Sequence, residues 1–410
     1  MHRVPGRPVA DRPGLRLSID VTAVPSRPVG AGHYTLQLAR ALAARSDIDL
    51  VLFSRRSDRA RWADVARGGD VEPAAPDTRL LRLAWEQVRL PRLLADRAVA
   101  VHHGPHYTMP ERSSLPVVVT VHDLSFFEQA EWHEWSKVLL FRRAITVAAR
   151  RATAVVCPSR VTAEQLVRWC PVDAELFVAP HGVDTGRFRP EEPEAGSDAI
   201  CLAGLDRRLA GGRPYLVFVG TLEPRKDLPS LVGAFARVAG RHPDALLVLA
   251  GGSGWGAAAV DRAVDDSGCS RQIIRTGYVP DAAVPALLRS AVGVVYPALY
   301  EGFGLPALEA LACGVPLVTT AGTAMEEVAG DAAVLVDPGD VAGLADALDQ
   351  RLAAGRDGDP GDGDRRTRGL AIASGHSWAA SAERHLEAYR FAAGRGPRPG
   401  RAGPATEPVG

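Results

Sequence analysis

Short apolar runs recur along the chain, separated by segments whose apolar residues follow helical spacing. In the first half these runs are Leu15–Val21, Leu50–Phe53, Val99–His102, Val117–Val121, Ala154–Cys157 and Leu176–Ala179. They lack the strict alternation of a half-exposed strand, which is typical of parallel strands buried on both faces. Strands that alternate with helices, such as one from about Tyr34 to Ala44, predict a doubly wound α/β domain.

The same pattern begins again after a polar, Pro- and Gly-rich stretch. Strands are predicted in the second half at Tyr215–Gly220, Ala245–Ala250, Gln272–Thr276, Gly293–Pro297, Pro316–Thr319 and Ala333–Val336. We therefore expect two Rossmann-like domains that face each other across a cleft. The predicted segments are a disordered start (1–14), the first domain (15–185), a linker (186–212), the second domain (213–376), a final helix (377–394) and a disordered tail (395–410), with a loop at 357–367.

The composition narrows the class of protein. The 410 residues suit two domains, and a hydrophobic content of 46% is enough for extended cores. Lys plus Arg and Asp plus Glu number 48 each, so no excess charge indicates a nucleic-acid partner. Five scattered cysteines without a C-x-x-C pair favour a cytoplasmic protein without a zinc site. No apolar run approaches the roughly 18–20 residues that span a bilayer, while peripheral membrane contact stays open.

The strongest chemical signal is the nine-residue segment from Glu301 to Glu309. Its two glycines would let the backbone approach a ligand closely, and Pro306 suits the first turn of a helix. Free amides at that turn would bind a phosphate or sugar hydroxyls, and they belong to Gly302, Phe303, Gly304 and Leu305. Glu309 lies about two turns into the helix, so both carboxylates would face one cleft and bind separate diols. A capped helix start with a solvated Glu is the alternative.

A second signal is the segment Gly220–Leu228, in which a strand ends and a helix follows. Arg225 and Lys226 are adjacent cations in the connecting loop. They would neutralise a diphosphate and the charge that builds up as its bond to the sugar breaks. Taken alone the pair also fits solvated surface cations, but together with the Glu301–Glu309 segment it predicts a diphosphate site.

Together these residues resemble glycosyltransferase family 4, a large retaining group with the GT-B fold. The Glu301/Glu309 pair resembles the family's E-x7-E motif, and Gly220–Asp227 resembles its diphosphate-binding stretch. Further similar segments are Val156–Val161, Val178–Pro190, Gly277–Val279 and His376–Trp378. The resemblance covers residues 15–391 and implies a C-terminal helix that crosses back to the first domain.

The resemblance also implies roles for individual residues at the donor site. Arg225 and Lys226 would hold the diphosphate, Glu309 the ribose hydroxyls, and Glu301 the transferred sugar. The other donor contacts would come from Gly220, Thr221, Tyr278 and Val279, together with the amides of Phe303 and Gly304.

The first domain would supply the opposite wall of the site. His122 follows an apolar strand, where the family places a histidine beside the donor sugar, and it would orient a sugar hydroxyl. A purely structural histidine is the alternative interpretation of His122. Gly30 and Gly32 lie in a loop whose amides would meet the diphosphate, and the arginine of the family's loop is His33 here.

Three further patterns carry weaker functional interpretations. Four histidines between residues 102 and 122 fit no common ligand spacing, so no metal site is predicted. Gly251–Gly256 resembles a G-x-G-x-x-G turn, but no acidic residue follows convincingly at the expected distance. The segment around Trp132, His133 and Trp135 is either packing or a patch that faces an acceptor or a lipid.

The expected protein is a metal-independent, retaining hexosyltransferase that needs no cofactor beyond its nucleotide-sugar donor. The predicted catalytic residues are His122, Glu301, Arg225 and Lys226. GDP-mannose is the favoured donor, and the acceptor would be a glycan or a lipid-linked molecule. The alternatives are a nucleotide-sugar epimerase, a dinucleotide-dependent oxidoreductase, or a sugar-nucleotide-binding protein without turnover.

Overall fold

The computed structural model describes residues 14–191, 194, 196–355, 358 and 361–395. Apart from Gly14 and Arg395, the two ends predicted to be disordered lie outside the described residues. The described chain forms two parallel sheets, each covered by helices on both faces. This confirms the predicted pair of Rossmann-like domains.

The first sheet has seven parallel strands in the order β3-β2-β1-β4-β5-β6-β7. They are β1 Leu15–Asp20, β2 Ile48–Arg55, β3 Asp70–Ala75, β4 Val101–Gly104, β5 Val117–Thr120, β6 Ala154–Cys157 and β7 Glu175–Val178. Every residue of β4, β5 and β6 is buried, as expected for central strands covered on both faces.

The second sheet has six parallel strands in the order β10-β9-β8-β11-β12-β13. They are β8 Tyr215–Val219, β9 Leu246–Ala250, β10 Ile273–Gly277, β11 Gly293–Tyr296, β12 Leu317–Thr320 and β13 Ala333–Val336. In both sheets the chain order reverses beside the first strand of the domain. Ligands of doubly wound sheets bind at such a switch point, outside the carboxyl ends of the strands.

Helices alternate with these strands. They are α1 Ala31–Ala43, α2 Arg59–Ala66, α3 Arg79–Val88, α4 Leu90–Asp96, α5 Ser125–Glu128, α6 Trp135–Arg151, α7 Arg160–Trp169, α8 Ser197–Leu205, α9 Arg207–Ala210, α10 Leu228–Ala239, α11 Ala257–Asp266, α12 Val284–Arg289, α13 Leu305–Ala312, α14 Ala324–Ala329, α15 Val341–Ala354, α16 Asp362–Gly375 and α17 Trp378–Arg395.

The last helix, α17, crosses back and packs on the first domain, as the resemblance implied. Its buried face joins the first-domain core through Leu386 and Ala392. Two buried hydrogen bonds fix it, one between the Tyr34 hydroxyl and His385 Nε2 (2.7 Å) and one between the Tyr389 hydroxyl and His103 Nδ1 (2.8 Å). Such satisfied buried polar pairs specify one position of the helix against the sheet.

Some local predictions were wrong. The linker predicted over 186–212 contains α8 and α9, whose Leu202 and Leu209 belong to the second-domain core. The loop predicted over 357–367 ends earlier, because α16 begins at Asp362; residues 356, 357, 359 and 360 lie outside the described part. Strand β3 was missed because Pro73 and two acidic residues weaken its pattern, which an edge strand tolerates.

Candidate active site

In the loop after β8, the side chain of Lys226 folds back against Gly220, the first residue of the loop. Gly220 has φ +154°, and a Cβ there would lie 2.7 Å from the Lys226 ammonium and 3.3 Å from the Tyr296 hydroxyl. Residues Pro224–Lys226 form a short 3₁₀ turn that folds the cation back toward Gly220. A side chain at position 220 would therefore collide with the lysine and displace its ammonium.

Lys226 is a buried cation whose ammonium is not paired with a carboxylate in the described structure. It is 6% exposed and lies 5.8 Å from the ring centres of Phe218 and Tyr296. Within the described part of the chain its ammonium has no hydrogen bond or ion pair. Burial, and then the neighbouring charge of Arg225, lower the pKa of Lys226 to about 8. An unpaired buried ammonium is costly unless an anionic ligand joins it.

The guanidinium of Arg225 bridges two carboxylates. It pairs with Glu223 at 2.9 Å and with Glu301. The Glu301 carboxylate also accepts a hydrogen bond of 3.2 Å from the Tyr296 hydroxyl. Burial opposes the charge of Arg225, but Glu301 and Glu223 raise its pKa above the ordinary range. Arg225 therefore stays charged.

The two loops that the sequence singled out touch each other. Besides the Arg225–Glu301 pair, the Leu299 amide donates to the Arg225 carbonyl at 2.8 Å. The parallel order of β8 and β11 brings both loops to one edge of the sheet, although their cations and carboxylates are more than 70 positions apart.

The two glycines of the Glu301–Glu309 segment serve protein packing, not only ligand approach. A Cβ at Gly302 would overlap the carbonyl oxygen of His122 in the first domain. Gly304, the N-cap of α13, has φ +106°, and a Cβ there would overlap Met325. The sequence predicts that both glycines leave room for a ligand. At their side-chain positions the space is instead filled by other protein atoms, while the amides at the helix start remain available.

Glu309 lies within α13, the helix that follows the Glu301 loop. In the described structure its carboxyl makes no hydrogen bond or ion pair. Burial raises the pKa of Glu309 to about 8, with Arg187 opposing and Asp281 adding to the shift. A ligand hydroxyl donating to this carboxyl would favour its ionised form.

Two residues were predicted for the base pocket. The side chain of Tyr278 is exposed, and that of Val279 is buried. Tyr278 is 46% exposed and has the guanidinium of Arg27 from the first domain 5.4 Å above its ring. The Val279 side chain belongs to the second-domain core, so only its backbone can meet a base. Thr221 continues the loop from Gly220 and packs against Gly254.

The first-domain residues lie across from these loops. His122 Nε2 is 2.7 Å from the Pro105 carbonyl, so this nitrogen carries the proton and donates it. Burial lowers the pKa of His122, which leaves the ring neutral with Nδ1 as an acceptor. Gly30 is the N-cap of α1 with φ +48°, and Gly32 packs against Pro25 and Pro28 in its first turn. Charges on Asp281 and Arg187 act on His33, which places α1 close to the second domain.

Sequence reasoning missed Asp123 and the contacts that join the domains. Asp123 accepts hydrogen bonds from Ser125 Oγ (2.6 Å) and the Tyr107 hydroxyl (3.0 Å). Burial would raise its pKa, but the charge of Arg225 and the bonds from Ser125 hold it below the ordinary value. The position beside His122 was the only signal for Asp123. The neighbouring Leu124 amide donates to the Tyr300 hydroxyl of the second domain at 2.7 Å.

The four histidines between residues 102 and 122 lie close enough for the charges of the other three to act on His103, but they are not arranged as one set of ligands. Their hydrogen-bond partners differ, being Ser18 for His102, Thr120 and Tyr389 for His103, Thr35 for His106 and Pro105 for His122. Among the described residues no group of three or more His, Cys, Asp or Glu is arranged to hold a metal ion. In the same residues, no helix combines the length and apolar content needed to traverse a bilayer.

This fold and site define a nucleotide-sugar-dependent glycosyltransferase, and comparison with known proteins agrees. Residues 206–357 match the family described as "Glycosyl transferases group 1", and residues 28–187 match "Glycosyltransferase Family 4". The O-antigen chain mannosyltransferase B of Escherichia coli is 30% identical over 379 residues, covering 88% of this chain and 96% of the relative. The chain therefore belongs to the group 1 glycosyltransferases, and it is a hexosyltransferase.

Other relatives agree at lower coverage or identity. A GDP-mannose-dependent alpha-(1-6)-phosphatidylinositol monomannoside mannosyltransferase of Mycolicibacterium smegmatis is 32% identical over 254 residues, 60% of this chain and 62% of the relative. Among solved structures, Anabaena HepE in complex with UDP-glucose has a TM-score of 0.70 at 17% identity, over 92% of this chain and 99% of the other. That likeness confirms the GT-B fold.

Proposed function

We propose that this enzyme transfers mannose from GDP-mannose to a glycan or lipid-linked acceptor, with retention at the anomeric carbon. Two relatives named as mannosyltransferases support this donor, one of them GDP-mannose-dependent. We infer a cytoplasmic location from the five cysteines, none of which forms a disulfide.

The observation that carries the diphosphate site is the unpaired ammonium of Lys226. A lysine with 6% exposure and no ion pair in the described structure loses hydration, and the charges of Glu301 and Glu223 offset only part of that loss. A diphosphate beside this loop would supply that compensation, because Gly220 lets the ammonium lie close against the start of the loop. The amides at the start of α13 add partial positive charge from the neighbouring loop.

Arg225 and Glu301 would change partners as the donor binds. In the structure Glu301 pairs with the guanidinium. When the diphosphate takes over Arg225, Glu301 is released to accept hydrogen bonds from the sugar hydroxyls. The charged guanidinium then faces the oxygen that becomes negative as the glycosidic bond breaks, which lowers the barrier to that step.

His122 would orient the sugar and not act as a base toward it. Its Nε2 proton is committed to the Pro105 carbonyl at 2.7 Å, so a sugar hydroxyl would donate to Nδ1. The acceptor oxygen attacks the face from which the diphosphate leaves, and its proton passes to the departing phosphate oxygen. Two cations and helix-start amides offset the leaving charge, so the proposal needs no metal ion.

A screen of nucleotide sugars for release of nucleoside diphosphate tests the proposal. GDP-mannose should be consumed, and the anomeric proton of the product should show retained configuration by NMR. Lys226→Met and Glu301→Gln should each lose at least about a hundredfold in kcat/KM, while Glu175→Gln on the exposed part of β7 should match wild type. Normal turnover by folded Lys226→Met, or release from a different nucleotide sugar alone, would contradict the site or the donor respectively.

A further inference from the structure

An exposed tryptophan stands on the glycine-rich turn that follows β9. Trp255 is 58% exposed. The turn that carries it is bound to the diphosphate loop, because the Leu222 amide donates to the Gly252 carbonyl (3.1 Å) and the Gly256 amide to the Leu222 carbonyl (3.0 Å). Trp255 is therefore held at a fixed distance from the donor loop.

The glycines of this turn explain its resemblance to a dinucleotide motif. A Cβ at Gly251 would overlap the Gly220 carbonyl oxygen, and one at Gly254 would lie 2.6 Å from the Leu222 carbonyl oxygen. These residues are small so that two protein loops can pack together. They do not form a phosphate cradle of their own, and the purpose of the turn is to support the donor loop and to present Trp255.

The first domain faces this tryptophan across the cleft. The ammonium of Lys137, in the first turn of α6, lies 5.1 Å from the Trp255 ring centre. One turn earlier in the chain, His133 Nε2 lies 2.9 Å from Ser125 Oγ. Ser125 Oγ gives its own proton to Asp123 at 2.6 Å, so His133 donates from Nε2 and keeps Nδ1 as an acceptor.

The same residues surround the leaving-group site. The groups whose charges act on His133 are Asp123, Arg225, Glu223 and Lys137, and burial is the main cause that lowers the pKa of this histidine. His133 thus lies between Arg225, with its carboxylate partners, and the exposed ring of Trp255. The predicted nucleotide side is marked by Tyr278, Arg27 and Glu309.

We propose that Trp255, Lys137 and His133 form an acceptor subsite that binds a saccharide ring at the mouth of the cleft; this rests on the proposed function. The exposed indole would stack on the C–H face of a pyranose, whose positively polarised hydrogens meet the negative face of the aromatic ring. His133 Nδ1 would accept from a ring hydroxyl, and Lys137 would donate to a neighbouring oxygen. An acceptor held here would present its nucleophilic hydroxyl toward the Arg225 side of the cleft.

The surroundings favour a saccharide over a bilayer. The group beside Trp255 is the Lys137 ammonium, and His133 in turn lies within reach of the charges of Lys137, Asp123 and Glu223. An amphiphilic polyol matches an aromatic face bordered by hydrogen-bonding groups, whereas insertion into hydrocarbon would strand those polar groups. The linkage of this turn to the donor loop further suits a position close to the chemistry.

Steady-state transfer with GDP-mannose and varied methyl α-mannoside or mannobiose tests the subsite. Trp255→Ala should raise the acceptor KM about tenfold, since it removes the aromatic face on which the saccharide ring stacks. Trp255→Phe should restore most of the loss. The donor KM should change less than twofold. Trp169→Ala, a partly exposed tryptophan on α7, should leave both constants unchanged.

Saccharide binding without turnover provides a second measurement. Saturation-transfer difference NMR with mannobiose and bound GDP should show ring-proton signals that Trp255→Ala abolishes. An unchanged acceptor KM together with unchanged NMR signals would overturn the inference, as would an equal rise of donor and acceptor KM, which would mean that Trp255 only supports the donor loop. Loss of binding to anionic phospholipid vesicles with normal mannobiose binding would assign Trp255 to a membrane instead. If wild type fails to bind GDP, the proposed function fails, whatever Trp255 does.

Discussion

Gly302 approaches His122 so closely that the activity should depend on position 302 having no side chain. In Gly302→Ala the new Cβ would lie 2.9 Å from the His122 carbonyl carbon and inside the radius of its oxygen. Carbon atoms pack at about 3.5–4.0 Å, so the two loops must separate by about 1 Å. Neither loop yields easily, because the Gly302 carbonyl accepts hydrogen bonds from Ser159 Oγ (2.8 Å) and Thr162 Oγ1 (3.0 Å).

A displacement of about 1 Å between catalytic groups costs about a hundredfold in rate, or about 2.7 kcal/mol in activation free energy. We therefore expect Gly302→Ala to lose about a hundredfold in kcat/KM for transfer. Binding of the nucleoside diphosphate should weaken less than turnover, since the predicted side-chain ligands Arg225, Lys226 and Glu309 lie within the second domain and only the amides around Gly302 are displaced. Coupled release assays and calorimetric titration with GDP measure the two quantities separately.

A matched control is Gly240→Ala at the end of α10, where φ is −67° and a Cβ would meet nothing within 4 Å. It should keep wild-type activity and thermal stability. If Gly302→Ala retains more than half of the wild-type kcat/KM while folded, the domains do not meet at this point during catalysis, and the reasoning is refuted.

Three further predictions concern charges in and around the cleft. Donor affinity should be greatest near pH 8, because Glu309 gains its charge and Lys226 loses its charge around that pH. Titrations should show that Glu309→Gln removes the fall in affinity on the acidic side and that Lys226→Met removes the fall on the alkaline side. The pKa of Glu309 in the folded state lies above its ordinary 4.5, so the stability it contributes is present below about pH 4.5 and lost as pH rises to about 8; the Tm advantage of Glu309→Gln should therefore grow from pH 5 to pH 8. The Glu327 carboxylate accepts hydrogen bonds from the amides of Arg160 (2.9 Å) and Val161 (3.1 Å) at the start of α7, across the cleft. Since a negative charge at a helix N-terminus is worth about 0.3–1 kcal/mol, Glu327→Gln should lower kcat/KM about two- to fivefold.

Each of these predictions has an outcome that would contradict it. A flat pH profile in wild type would mean that neither buried group is linked to the donor. Equal Tm differences at pH 5 and pH 8 would show that Glu309 is not protonated in the folded protein. Glu326→Gln is the control for Glu327, because its carboxylate binds the Gly322 amide within the second domain; an equal loss in both variants would argue against a role in closure.

Much of the fold was accessible from the sequence, because strand and helix patterns are local. Buried runs such as Val117–Val121 and the restart at Tyr215 predicted two parallel sheets, and both were found. The errors occurred where local composition and tertiary position disagree. Helix α8 is short, lies within a Pro- and Gly-rich stretch and packs on the second domain through few residues, Leu202 among them, so its sequence is hard to separate from a linker.

The sequence by itself determined the class of enzyme and the pair of loops on which its chemistry depends, because glycines, cations and carboxylates at short fixed spacings have few other uses. Only the tertiary structure decided how those groups are partnered. That Arg225 bridges Glu223 and Glu301, that Lys226 is unpaired, and that Gly302 faces His122 all follow from packing between strands and domains. Contacts between residues about 180 positions apart, such as that of Gly302 with His122, leave no periodic trace in the chain, since they depend on where two independently patterned sheets come to rest against each other.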